Sequence, residues 1–217
     1  MIDLHTHTIL SDGELLPSEL VRRAEVAGYS AIAITDHVDQ SNIDFVLSGL
    51  TKVARVLNKY WKIAVLPGVE LTHVALETFP VLVKYARKKG AKIVVAHGES
   101  PVEPVLPGTN RAAIKAGVDI LAHPGFILEE DARLAAKKGV CLEISCRRGH
   151  MNGNKHVFDM AMKTGAKLVV NTDAHSPNDL LTSERFREVL AMIGGDEELG
   201  KMLLNNSEQL VRKAKKR

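Results

Sequence analysis

The sequence is poor in cysteine, in aromatic residues and in long apolar runs, and each shortage removes a class of protein. Two cysteines in 217 residues, Cys141 and Cys146, cannot build a disulfide scaffold. A C-x4-C pair with no second pair is not a zinc-ribbon spacing either. A reducing, cytoplasmic compartment is expected. No apolar run approaches the roughly 18 residues that cross a bilayer, so no membrane is expected. No secretory leader is read at the start, where Met1-Ile2-Asp3-Leu4-His5 looks like a strand running into a reactive group. Aromatics make up 4% of the chain and are expected mostly inside helices or strands, leaving no stacking platform for nucleic acid. The net charge of +3 is too small to imply a polyanionic partner.

What is present is a repeat. Short runs rich in Val, Ile, Leu and Ala occur at Ile2–Leu4, Ala31–Thr35, Ile63–Val69, Lys92–Ala96, Val118–Ala122, Val140–Ile144 and Lys167–Asn171. They are nearly continuous rather than alternating, as in strands covered on both faces. Between them lie helical patterns such as Pro17–Ala27, Phe79–Lys89 and Glu129–Lys138, with basic residues near their ends. Glycines 28, 90, 117, 139 and 165 stand where helix C-caps are expected. This predicts seven strands in successive βα units, and hence an α/β barrel or an open doubly wound sheet. A dinucleotide-binding sheet would need G-x-G-x-x-G after the first strand, where His5-Thr6-His7-Thr8 stands instead.

Nine histidines are present, and most fall just past a predicted strand. The first strand leads to His5 and His7, the second to Asp36-His37, and the third to Glu70 with His73 behind it. The fourth leads to His97, the fifth to His123, and the seventh to Asp173 and His175. The sixth holds Glu143 and leads to Arg147. A lone histidine on an apolar strand is usually a hydrogen-bonded core group. A set of them at the carboxyl ends of parallel strands points into one barrel mouth. His5 and His7 share a face at i, i+2, and Asp173 and His175 are expected to repeat that spacing. So many imidazoles and carboxylates in one cleft demand cations. Imidazole and carboxylate suit Zn, Fe, Mn or Ni.

These residues resemble the PHP (polymerase and histidinol phosphatase) family of metal-dependent phosphoesterases over approximately residues 1–180. The resemblance rests on Asp3-Leu4-His5-Thr6-His7-Thr8 with Ser11-Asp12-Gly13, Ile34-Thr35-Asp36-His37, Pro67-Gly68-Val69-Glu70, Ala96-His97-Gly98, Ala122-His123-Pro124 and Asn171-Thr172-Asp173-Ala174-His175. It implies a distorted (β/α)7 TIM-like barrel, here one domain over 1–217 with C-terminal covering helices from about 179. It also implies three divalent ions, Zn, Mn or Fe. One would be held by His5, His7, Glu70 and Asp173, a second by Glu70, His97 and His123, and a third by Asp12, His37 and His175. Position 12 is Asp where some members carry His, which leans the preference toward Mn or Fe.

The expected chemistry is hydrolysis of a small phosphomonoester, such as histidinol phosphate or a nucleotide, through attack of a hydroxide bridging two metals. Glu70, Asp173, His175 and Arg147 are the expected catalytic groups. Arg147 is the preferred phosphate clamp, because an arginine fork matches phosphate oxygens. Arg148 and Arg111 are its rivals, and Glu99 and His150 are candidates at the leaving group. His73 and His156 are expected at the surface or behind the ligands, and the basic tail Arg212–Arg217 as a solvated helix end. The alternatives are a metal-dependent amidohydrolase, a nuclease, and an RNA-associated barrel without catalysis.

Overall fold

A computed structural model describes residues 1–217. The strands are β1 (Ile2–Asp3), β2 (Ala31–Ile34), β3 (His37–Val38), β4 (Ala64–Leu71), β5 (Ile93–His97), β6 (Ile120–Ala122), β7 (Cys141–Ser145) and β8 (Leu168–Asn171). The helices are α1 (Pro17–Val26), α2 (Ile43–Tyr60), α3 (Phe79–Lys88), α4 (Thr109–Ala116), α5 (Glu129–Lys138), α6 (Asn154–Thr164), α7 (Ser183–Met192) and α8 (Glu197–Lys215). The hydrogen-bonded order is β1-β2-β4-β5-β6-β7-β8, every pair parallel, as a run of right-handed βα units requires. The seven expected strands are all present. The eighth, β3, is a two-residue strand that the sequence pattern did not reveal, and it pairs His37 with Glu70.

The continuous apolar runs arise because each strand feeds two cores. Ala31 and Ala33 face the barrel interior while Ile32 and Ile34 face the helices. In β5, Ile93 and Val95 point in and Val94 and Ala96 point out. Side chains alternate along a strand, so the inward row of β4 runs from Leu66 through Gly68 to Glu70. That parity delivers the carboxylate to the carboxyl mouth.

The barrel closes between β8 and β1 only toward that mouth. Thr6 bridges Ala174, the His7 amide donates to the Ala174 carbonyl at 2.8 Å, and the Asp173 amide donates to the His5 carbonyl at 3.0 Å. At the opposite end α8 fills the opening, with Leu210, Val211 and Ala214 joining the interior cluster of Ile2, Leu4 and Val169. The helices therefore plug the base as well as covering the seam. The basic tail is not wholly solvated. Arg217 grips the buried Asp119 through two hydrogen bonds of 2.9 and 2.8 Å, and Arg87 adds one of 3.1 Å. No helix is long and apolar enough to cross a membrane.

Candidate metal centre

Regular alternation from the buried Leu4 would send His5 out toward the helices. β1 ends at Asp3, and the irregular backbone that follows lets Leu4 and His5 both enter the interior. The Asp3 carboxylate holds that bend by accepting from the His5 amide and from the Thr172 amide and hydroxyl. The next loop folds back so closely that a Cβ on Gly13 would lie 2.6 Å from the His7 carbonyl carbon. Only glycine lets Asp12 approach. Asp36 ties the same loop down through the Thr8 amide and the Thr8 and Ser11 hydroxyls.

The imidazoles and carboxylates meet in three overlapping groups. Around Glu70 and Asp173, His5 Nε2 is 3.3 Å from Glu70 Oε2 and His7 Nε2 is 3.0 Å from Asp173 Oδ1. On the other side of Glu70, Oε1 lies 3.7 Å from His97 Nδ1 and 3.6 Å from His123 Nε2. At the outer edge, Asp12 Oδ1 lies 3.2 Å from His175 Nε2 and 3.6 Å from His37 Nε2. All nine residues expected as ligands thus face one mouth. The Asp173–His175 strand spacing does not hold, because β8 ends at Asn171 and Asp173 adopts φ +53°. His123 (φ +28°) is strained as well. Backbone strain of this kind is retained where the surroundings impose it, commonly at functional sites.

Eight buried polar atoms here make no well-aligned hydrogen bond, although Glu70 Oε2 lies 2.8 Å from His37 Nδ1: His5 Nε2, both His7 ring nitrogens, both Glu70 oxygens, His97 Nδ1, His123 Nδ1 and Asp173 Oδ1. A buried polar atom left unpaired would cost about 1–3 kcal/mol, and all of these cluster around Glu70 and Asp173. The donor set of imidazole nitrogen and carboxylate oxygen fits divalent transition metals. The electrostatics agree. Burial holds His7 and His123 well below the usual imidazole range. At His5, Glu143, Glu70 and Asp173 outweigh burial and lift it well above that range. Burial would raise Glu70, but His5, His37 and His97 hold it well below the carboxylate range, whereas burial pushes Asp173 up.

Arg147 enters the mouth. Its Nη1 donates to the Asp173 carbonyl at 2.9 Å and contacts His175, and Nε sits 3.7 Å from Asp173 Oδ2. A cavity of about 430 Å³ above the ligands is lined by polar side chains alone, among them Arg147, His150 and Glu103. A larger one of about 940 Å³ adjoins it, shares Arg147 and His175, and holds Arg148 and Arg185. His150 is buried, with Nδ1 2.6 Å from the Ser100 hydroxyl.

Two expected substrate groups are turned away. Arg111 pairs with Glu130 and Asp131, and the Glu99 carboxylate caps α4 by accepting from the Gly108 and Asn110 amides. Both line a separate cavity. His156 bonds the Ile127 carbonyl, and His73 stands exposed 3.7 Å from Glu103. Sequence reasoning misses Glu103, whose Oε2 is 2.6 Å from His97 Nε2 and whose Oε1 is 3.4 Å from His150 Nε2. It sits in an irregular loop between two prolines, where no periodic signal marks it.

The model of the PHP domain family matches residues 3–152. The chain belongs to the PHP domain family. Its relatives include an uncharacterized protein of Methanocaldococcus jannaschii, 46% identical over 97% of this chain and 98% of that one. The fold of this PHP domain is shared with a chain in the cryo-EM structure of archaeal ribonuclease P with mature tRNA, at 18% identity and TM-score 0.75, covering 99% of this chain and 91% of that one. It is shared too with histidinol phosphate phosphatase from Lactococcus lactis, solved with zinc, L-histidinol and phosphate. That likeness has 17% identity and TM-score 0.64 over 89% of this chain and 92% of the other.

Proposed function

We propose that this PHP domain, acting as one unit over residues 1–217, hydrolyses a small phosphomonoester with three divalent ions of Zn, Mn or Fe. The observation that carries the proposal is the set of eight buried polar atoms without a well-aligned hydrogen bond, converging on one mouth. His5, His7, Glu70 and Asp173 would hold one ion, Glu70, His97 and His123 a second, and Asp12, His37 and His175 a third. Bound divalent ions supply Lewis acidity and neutralise charge on the transferring phosphoryl group.

The chain's own groups do the rest. Glu70 fixes the spacing of the donor sets by offering one oxygen to each side. Arg147 orients Asp173 and His175 and presents the free side of its guanidinium to phosphate oxygens in the cavity. Arg148, one cavity further out, receives a more distant anionic group. His150, held by Ser100, hydrogen-bonds the leaving alcohol. The all-polar lining suits a hydroxyl- or amine-bearing leaving group more than a flat apolar one.

An amidohydrolase is disfavoured because Glu70 occupies the mid-barrel bridging position where that class commonly places a lysine. A purely RNA-associated barrel draws support from the likeness to the ribonuclease P chain, but it leaves the unpaired donors without a purpose. A phosphate-release screen over phosphorylated metabolites with Mn, Zn and Fe tests the proposal. Release from a phosphomonoester supports it, and hydrolysis of cyclic amides alone would replace it.

A further inference from the structure

Basic residues gather at one recess of the barrel's amino end, opposite the mouth. A cavity of about 430 Å³ is lined by Arg55 of α2, Lys92 before β5 and Lys215 of α8, with no carboxylate in its wall. Arg217 donates to the Lys92 carbonyl at its edge. Arg217 also reaches Asp119, which is buried and shared with Arg87 and Lys213. Of the three, only Lys215 stands in the last turn of a helix, where a cation complements the dipole. The dipole does not account for Arg55 and Lys92 gathering with it around a recess whose wall holds no acid.

On the other side of the α2–β4 turn lies a second recess of about 690 Å³, lined by Arg22, Tyr60, Trp61 and Lys62. Its single acid, Glu25, is paired with Arg22 at 2.7 Å. Tyr60 is 69% exposed, with Lys59 Nζ 5.0 Å from its ring centroid. Tyr60 lies inside α2, as expected of most of the aromatics, but its ring faces solvent. Asn58 braces the turn between the recesses through two hydrogen bonds to the Val65 backbone.

We propose that this face binds single-stranded nucleic acid, with phosphates in the Arg55–Lys92–Lys215 recess and a base stacked on Tyr60. Cations that follow a backbone, next to an exposed aromatic, are the elements such binding uses. Recessed cations suit a strand, whereas a bilayer surface would meet them on a flat or convex face. This site does not depend on chemistry at the mouth.

The test is fluorescence anisotropy with a labelled 20-nucleotide oligouridylate from low to moderate KCl, using the full chain. The triple variant Arg55→Glu/Lys92→Glu/Lys215→Glu should weaken binding at least about tenfold and flatten the salt slope by about two, near 0.7 for each phosphate no longer neutralised. Tyr60→Ala should weaken it several-fold, and Arg147→Ala, at the mouth, should leave it unchanged. Lys92→Gln alone, a milder change, should weaken binding by a smaller factor and covers any misfolding of the triple variant. No binding by the parent chain, binding indifferent to Lys92→Gln and Tyr60→Ala, binding abolished by Arg147→Ala, or preference for anionic vesicles over the strand would each overturn the proposal.

Discussion

Glu143 Oε2 lies 2.8 Å from His5 Nδ1, and this contact turns the ring so that Nε2 faces Glu70 and Asp173. Glu143 is itself fixed by the His123 amide and the Asn171 side-chain amide. A carboxylate behind a histidine sets its tautomer and strengthens it as a ligand. Glu143→Gln should therefore weaken metal retention about 10- to 100-fold with the fold intact. Competition against a chelator measures this, and unchanged affinity would remove Glu143 from the site.

Arg147→Ala should lower kcat/KM about 10- to 100-fold, mostly through KM, as expected when one charge-assisted hydrogen bond to phosphate is removed. Steady-state kinetics on whichever phosphoester the screen identifies gives the split. Unaltered KM would pass the clamp to Arg148 or Arg185.

The Arg217–Asp119 pair joins α8 to the barrel base. Arg217→Ala should cost about 1–3 kcal/mol, because it leaves a buried charge less well paired. Burial would raise Asp119, but Arg217 and Arg87 hold it below the usual Asp range. A lowered carboxylate contributes stability above its unfolded value of 3.8 and loses it as pH falls through the folded one. The difference between parent and variant in urea unfolding should be full at pH 7 and shrink below about pH 3.8. A difference independent of pH would contradict the ion-pair account.

Cys141 and Cys146 are both buried, and burial pushes the Cys141 thiol up to about 11 and Cys146 further still. Neither should react with a thiol reagent at pH 8 in the folded protein, and both should react once it is unfolded. Rapid labelling of the native chain would mean local opening around β7.

Much of this was legible in the sequence because two periodicities carried it. The inward parity of β4 that brings Leu66 inside also brings Glu70 inside. The C-cap glycines at 28, 90, 117, 139 and 165 all show positive φ. What the sequence did not show is the path of the backbone where periodicity stops. His5 enters the mouth through an irregular bend, and Asp173 through a left-handed residue. Glu103 and Glu99 occupy the same irregular loop, yet one reaches His97 and the other caps a helix. Arg217 looked like part of a solvated tail because its partner Asp119 is 98 residues away.

The central claim is that the orphaned donors exist to hold cations. Elemental analysis of the protein purified without added chelator, beside Glu70→Ala and His37→Ala, tests it most directly. The account predicts close to three divalent ions per parent chain, a loss of about one with His37→Ala, and a larger loss with Glu70→Ala. A metal-free parent that takes up no ions on dialysis against Mn, Zn or Fe would contradict it.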